Sequence, residues 1–143
     1  MRKVLDAVHN VRENHEEMFV ASFIHKERRE RALFLLRHPA KRHEFTAKLA
    51  HVRWLDERFV THITGDMAHT VAELVALLKQ NGASSTVWVI SENRTIDGQQ
   101  LPIEDAMTSI SGGNKGTVLS CVPGKLAFLR GEAMKTEYLL KHG

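Results

Sequence analysis

The chain carries a single cysteine, Cys121, so no intrachain disulfide framework can form. That sparing use of cysteine suits a reducing compartment. No apolar run approaches the roughly 18–20 residues that cross a bilayer as a helix, so no membrane partner is expected. Met1-Arg2-Lys3 starts in the manner of a secretory leader, but Asp6, His9 and Asn10 interrupt the apolar stretch such a leader requires. Internal repeats, low-complexity tracts and linkers are also missing from the 143 residues. A chain of that length buries enough surface to fold without metal or disulfide. Together these absences describe one soluble, cytoplasmic globular domain over residues 1–143.

What is present is histidine and an uneven charge. There are nine histidines beside a formal charge of only +3. Residues 26–58 hold ten Lys/Arg against five Asp/Glu, whereas residues 63–143 hold seven against eight. His38, His43 and His51 lie within the basic stretch and His25 at its border, so falling pH makes it more positive.

Periodicity predicts the elements. Val4, Val8, Val11, His15 and Met18 fall on one face of a helix over 3–18. Phe19–Ile24, rich in Phe, Val and Ile, has strand-forming residue types. Lys26–Arg37 is helical up to Pro39, which opens a further helix carrying Phe45, Leu49 and Val52. Val60–Thr64 is a short strand. Thr70-Val71-Ala72-Glu73 is a capping box ahead of a Val71, Leu74, Val75, Leu78 stripe, and Asn81-Gly82 stops that helix. Val87–Ile90 is apolar on both faces, as a central strand is. Asp97-Gly98 marks a turn, and Pro102–Ile110 a short helix. Thr117–Val122 and Leu126–Arg130 flank Pro123-Gly124, a type II turn signal, and predict a β-hairpin. Glu132–His142, with Met134, Tyr138 and Leu139, is read as a terminal helix. The expected fold is α+β: a mixed sheet of about five strands, helices packed on it, and a C-terminal β-hairpin.

Each group with candidate chemistry has a plainer explanation beside it. His51, His62 and His69, with Asp56, Glu57 and Asp66 among them, are suitable ligand types for a transition metal. Their spacing matches no dense motif, and no His-Glu-x-x-His occurs; helix caps, pairing with arginines and solvent exposure are the plainer explanation. His15, on an apolar stripe, is expected as a hydrogen-bonded core residue, while the flank of His9, Glu13 and Glu16 is expected to be solvated. Ser111–Thr117 is glycine-rich like a phosphate loop but stands before a strand, the wrong order for one. Cys121, inside a strand, is a packed thiol by default.

The polar run Ser91–Gly98 follows the most buried strand, where rigid scaffolds commonly present binding groups. Glu92, Arg94 and Asp97 are its ligand-binding candidates, against a tight turn whose charges pair with one another. Arg28, Arg29 and Lys41 are the nucleic-acid candidates of the basic stretch, although the bases spread around the helix and aromatic residues are few.

No catalytic constellation emerges, and no cofactor is expected. The leading expectation is a non-enzymatic protein that binds a protein partner or a second copy of itself as a homodimer, pairing through an exposed edge of the C-terminal hairpin. The alternatives are a small-ligand binder or enzyme using the 91–98 loop with a nearby histidine from residues 51–69, and nucleic-acid binding through 26–58.

Overall fold

The computed structural model describes residues 2–51, 53–63, 69–111, 115–132 and 137–142, with side chains from Asn10 onward. Helix α1 (Arg2–Phe23) runs through the segment expected to switch to strand. The buried residues His15, Glu16, Phe19, Val20, Phe23 and Ile24 explain why. Pairs repeating every four residues line one side of a helix, and that spacing overrides the strand preference of Phe, Val and Ile. Ile24 leaves the helix to form an isolated antiparallel bridge with Leu55. A 3-10 turn at Lys26–Arg28 leads into α2 (Arg29–Arg37), and a second at Pro39–Lys41 leads into α3 (Arg42–Ala50).

Strand β1 (Val60–His62) precedes α4 (Val71–Gln80). The capping box of α4 is present: Thr70 Oγ1 accepts from Glu73 N–H at 3.1 Å, and Glu73 Oε1 accepts from Thr70 N–H at 3.0 Å. Strand β2 (Thr86–Ser91) is buried along almost its whole length, as an unbroken apolar run requires. It pairs with β3 (Gln100–Pro102), a short strand that the sequence pattern does not reveal, followed directly by α5 (Ile103–Ile110). Strands β4 (Thr117–Val122) and β5 (Leu126–Arg130) form the expected hairpin. Its turn closes with Lys125 N–H on Val122 O at 2.9 Å. Gly124 adopts φ 70°, and a Cβ there would stand 2.9 Å from Ser22 Oγ of α1.

The terminal segment is strand β6 (Glu137–Lys141), not a helix. Leu140 packs in the core on one side of the sheet and Leu139 against the core on the other, the two-residue alternation of a strand. Strand β6 fits between β5 and β1, giving the order β1-β6-β5-β4-β2-β3. The α+β class therefore holds, with six strands rather than about five, and every pairing among the described residues is antiparallel rather than mixed. The hairpin strands lie inside this sheet, so they offer no free edge. The edges are β1 and β3, three residues each, and β3 ends in a proline. Short edges and proline blunt strand pairing, which removes the stated reason for self-association through the hairpin.

The sheet is covered on both sides. Trp88, Ile90, Val118, Ala127, Leu129 and Leu140 face α1, α2 and α3. Val87, Val89, Leu119, Cys121, Leu126 and Phe128 face α4 and α5. Among the described residues no helix is long and apolar enough to cross a membrane.

Candidate functional site

Where α1 and α3 meet the sheet, a charged cluster is buried. Arg42, the first residue of α3, is only 8% exposed. Its Nη1 donates to Glu16 Oε1 at 2.7 Å and Leu36 O at 3.0 Å. Nη2 donates to Glu16 Oε2 at 2.8 Å and Asp97 Oδ1 at 3.0 Å, and Nε to Asp97 Oδ2 at 2.9 Å. A guanidinium has five N–H donors, and here each has an acceptor. Burial opposes the charge on Arg42, but the hydrogen bonds and charges of Glu16 and Asp97 outweigh it and push its pKa above the ordinary arginine value. The group is a fixed cation at any working pH.

Neighbouring groups complete the cluster. Trp88 Nε1 donates to Glu16 Oε2 at 2.9 Å, and Ser91 N–H donates to Asp97 Oδ1 at 2.9 Å. His15 stacks on Trp88, with centroids 6.2 Å apart, and shares a 2.7 Å hydrogen bond through Nδ1 with Ser120 Oγ. Burial lowers the pKa of this imidazole below its ordinary value. His15 is thus the hydrogen-bonded core residue expected from its stripe. Glu16, expected on a solvated flank, is instead 5% exposed because α1 turns that flank toward Arg42. Among the described residues, no buried side-chain nitrogen or oxygen lacks a hydrogen-bond partner.

The 91–98 loop is held rigidly beside this cluster. Asn93 N–H donates to Ser91 Oγ at 2.9 Å, and Asn93 Oδ1 accepts from Thr95 N–H at 3.1 Å and Thr95 Oγ1 at 2.7 Å. The loop is also tied to the segment entering β4. Glu92 N–H donates to Gly116 O at 3.0 Å, and Glu92 Oε1 accepts from Gly116 N–H at 2.7 Å. A Cβ at Gly116 would fall 2.5 Å from Ala50 Cβ, so this close approach to the end of α3 needs glycine.

Between α3 and the loop lies a cleft of about 420 Å³. Arg42, His43 and Thr46 form one wall, and Ser91, Glu92, Arg94 and Asp97 form the other. Glu92, Arg94 and Asp97 therefore share one cavity, and their histidine neighbour is His43 rather than one from 51–69. The expected pairing of the loop charges with one another does not occur. Asp97 turns inward to Arg42 and Glu92 to Gly116, while Arg94 is exposed and has no ion-pair partner among the described residues. Reading the sequence misses Arg42, Glu16, Trp88 and His43 as members of this site. Arg42 gives only one signal, its place just after Pro39 at a helix start.

The other candidates are dispersed. His51 Nε2 stands 3.3 Å from Glu132, His62 packs on Tyr138 at 5.1 Å between centroids, and His69 Nδ1 lies 3.3 Å from Glu137. No group of three or more His, Cys, Asp or Glu among the described residues is arranged to hold a metal ion, and Asp66 lies outside those residues. Arg29 Nε donates to Ile24 O at 3.0 Å, so it serves the end of α1. Arg28 stands over the Trp54 ring at 5.7 Å, whereas Lys41 stands over Phe34 at 5.7 Å. Cys121 is buried, and burial pushes its thiol up to about 12, far from a working nucleophile. In the 111–117 loop, residues 112–114 lie outside the described residues, and the Gly116 N–H is engaged by Glu92. Comparison with protein-family models, curated proteins and solved structures finds no match to this chain.

Proposed function

We propose that the protein binds a small polar molecule in the cleft between α3 and the 91–98 loop. The observation that carries this reading is the state of the charges on the cleft walls. Arg94 and His43 face the cavity with no ion pair, while Arg42 and Asp97 are locked to each other behind them. Glu92 has one oxygen on Gly116 and a second free to accept. A matching ligand carries a carboxylate or phosphate for Arg94 and His43, and an N–H or O–H donor for Glu92. Arginine meets such anions with its planar fork, which gives orientation as well as attraction. Walls that are already hydrogen-bonded lose little on binding, because they need no reordering.

The test is calorimetric titration of the protein with a panel of amino acids, hydroxy acids and their phosphate esters. Binding of at least one member, weakened tenfold or more in Arg94→Ala with an unchanged unfolding midpoint, is the expected result. A panel that leaves the protein silent, or a ligand that Arg94→Ala binds as well as wild type, would sink the reading.

A further inference from the structure

We infer that a second surface, centred on Trp54, binds single-stranded nucleic acid by stacking a base on that ring. The two tryptophans differ sharply in setting. Trp88 is 1% exposed and hydrogen-bonded to Glu16, as a core tryptophan should be. Trp54 is half-buried and lines a separate cleft of about 450 Å³ with Arg53, Leu55, Glu57, Val60 and Tyr138.

Trp54 also has φ 69°, a conformation that a bulky side chain rarely adopts. The surroundings hold it there. Trp54 O accepts from His25 N–H at 2.7 Å, and Asp56 N–H donates to Phe23 O at 2.8 Å. The Ile24–Leu55 bridge lies between these two bonds. Backbone strain maintained by a purpose-built clamp is a frequent mark of a working position.

Charge surrounds the ring. The Arg28 guanidinium and the Lys48 ammonium lie over the ring, 5.7 and 5.6 Å from its centroid, so a base that stacks there displaces them toward its phosphates, and Arg53 lines the cleft. None of these three has an ion-pair partner among the described residues. Of the nearby acids, Asp56 is held by Arg58 at 2.6 Å, which leaves Glu57 on the cleft wall. Tyr138 supplies a second aromatic surface. Aromatic platforms flanked by unpaired cations are how sequence-tolerant binding of single strands works: bases stack, and phosphates meet the charges. The basic stretch thus acquires a focus, with Arg28 retained while Lys48, Arg53 and Trp54 replace Arg29 and Lys41.

Trp88 is enclosed and out of a ligand's reach, so a change in tryptophan emission on binding reports mainly on Trp54. We expect titration with oligouridylate of about ten nucleotides to quench that emission saturably. Three phosphate contacts on a single strand give a log–log salt slope near −2, or roughly a 20-fold loss of affinity between about 50 and 200 mM salt. Arg28→Ala/Lys48→Ala should weaken binding tenfold or more and flatten the slope. Trp54→Gly suits the positive φ but gives up the packing of the ring on Phe45, so circular dichroism first checks that it is folded; the folded variant should lose binding when followed by anisotropy of a labelled oligonucleotide. Absence of quenching, undiminished affinity in Trp54→Gly, or equal quenching by poly-glutamate would each overturn the inference, the last by marking a site for acidic peptides.

Discussion

The two faces of the sheet solve burial in different ways. Under α4 and α5 the core is apolar side chains and the Cys121 thiol. The buried and half-buried polar residues that the strands turn to that face sit in one cross-strand row at the strand ends: Ser91, Thr117, Arg130 and Glu137. Under α1–α3, polar groups reach the middle of the sheet. Ser120 lies directly opposite Trp88 and bonds His15, and Glu16, Arg42 and Asp97 stack charge beside them. Apolar burial is forgiving, because any well-packed side chain of the right volume contributes. A charged cluster requires every donor and acceptor to be met at once. The charged cluster of the polar face also borders the proposed ligand cleft, through Arg42 and Asp97.

The largest way to break that contrast is Arg42→Ala. It leaves two buried carboxylates facing each other without their cation, which costs about 3–5 kcal/mol by analogy with broken buried ion pairs. Urea unfolding followed by circular dichroism measures it. A loss below about 1 kcal/mol would mean that the cluster is solvated and the two faces are alike. On the apolar face the counterpart is Leu78→Ala, at a fully buried position of α4. About 2–5 kcal/mol is expected from lost transfer energy and the cavity left behind. The loss should be equal at pH 5.5 and 7.5, since nothing in that cluster titrates there.

The same contrast governs what the sequence discloses. Helix α4 was legible because its signals are local: Thr70 and Glu73 three residues apart, then a stripe, then Asn81-Gly82. The Pro123-Gly124 hairpin and the unbroken run of β2 were legible for the same reason. On the candidate site, a polar run after a buried strand was enough to single out Glu92, Arg94 and Asp97. Their anchor was not visible, because Arg42 lies 55 positions from Asp97 and 26 from Glu16, and only the folded chain brings them together. The α1 extension and β6 were misjudged where residue type and spacing disagreed. Phe19–Ile24 has strand-forming types at helical spacing, and in Glu137–Lys141 three adjacent apolar residues, Tyr138 to Leu140, have no period of their own, so Met134, Tyr138 and Leu139 read as a helical face.

Acid separates the faces by a smaller amount. His15 has its pKa lowered by burial from an ordinary 6.5, so the folded state takes up its proton less readily than the unfolded chain. Its contribution is therefore complete above about pH 6.5 and is lost as pH falls through that value toward the folded pKa. The slope is at most about 1.4 kcal/mol per pH unit for one group. The informative quantity is the difference between wild type and His15→Gln, which cancels the contributions of every other group. The variant should show the shallower decline in urea midpoint from pH 7.5 to 5.5. Parallel curves would show that His15 takes up its proton equally well in both states.

The smallest effect tests whether the apolar face depends on polar contacts at all. Thr70 and Glu73 exchange two hydrogen bonds at the exposed start of α4, and the Thr70 backbone and hydroxyl contacts hold the Glu73 carboxyl below its ordinary pKa. Losing one N-cap oxygen costs about 1 kcal/mol. Thr70→Ala should show that loss and Thr70→Ser should restore most of it, because a serine hydroxyl reaches the same N–H. Amide exchange should quicken at Val71–Glu73 while Leu78 stays protected, since the helix is held to the sheet by its buried side. A Thr70→Ala loss as large as that of Arg42→Ala would reverse the comparison: docking of α4, and the apolar core beneath it, would then hang on one surface hydroxyl.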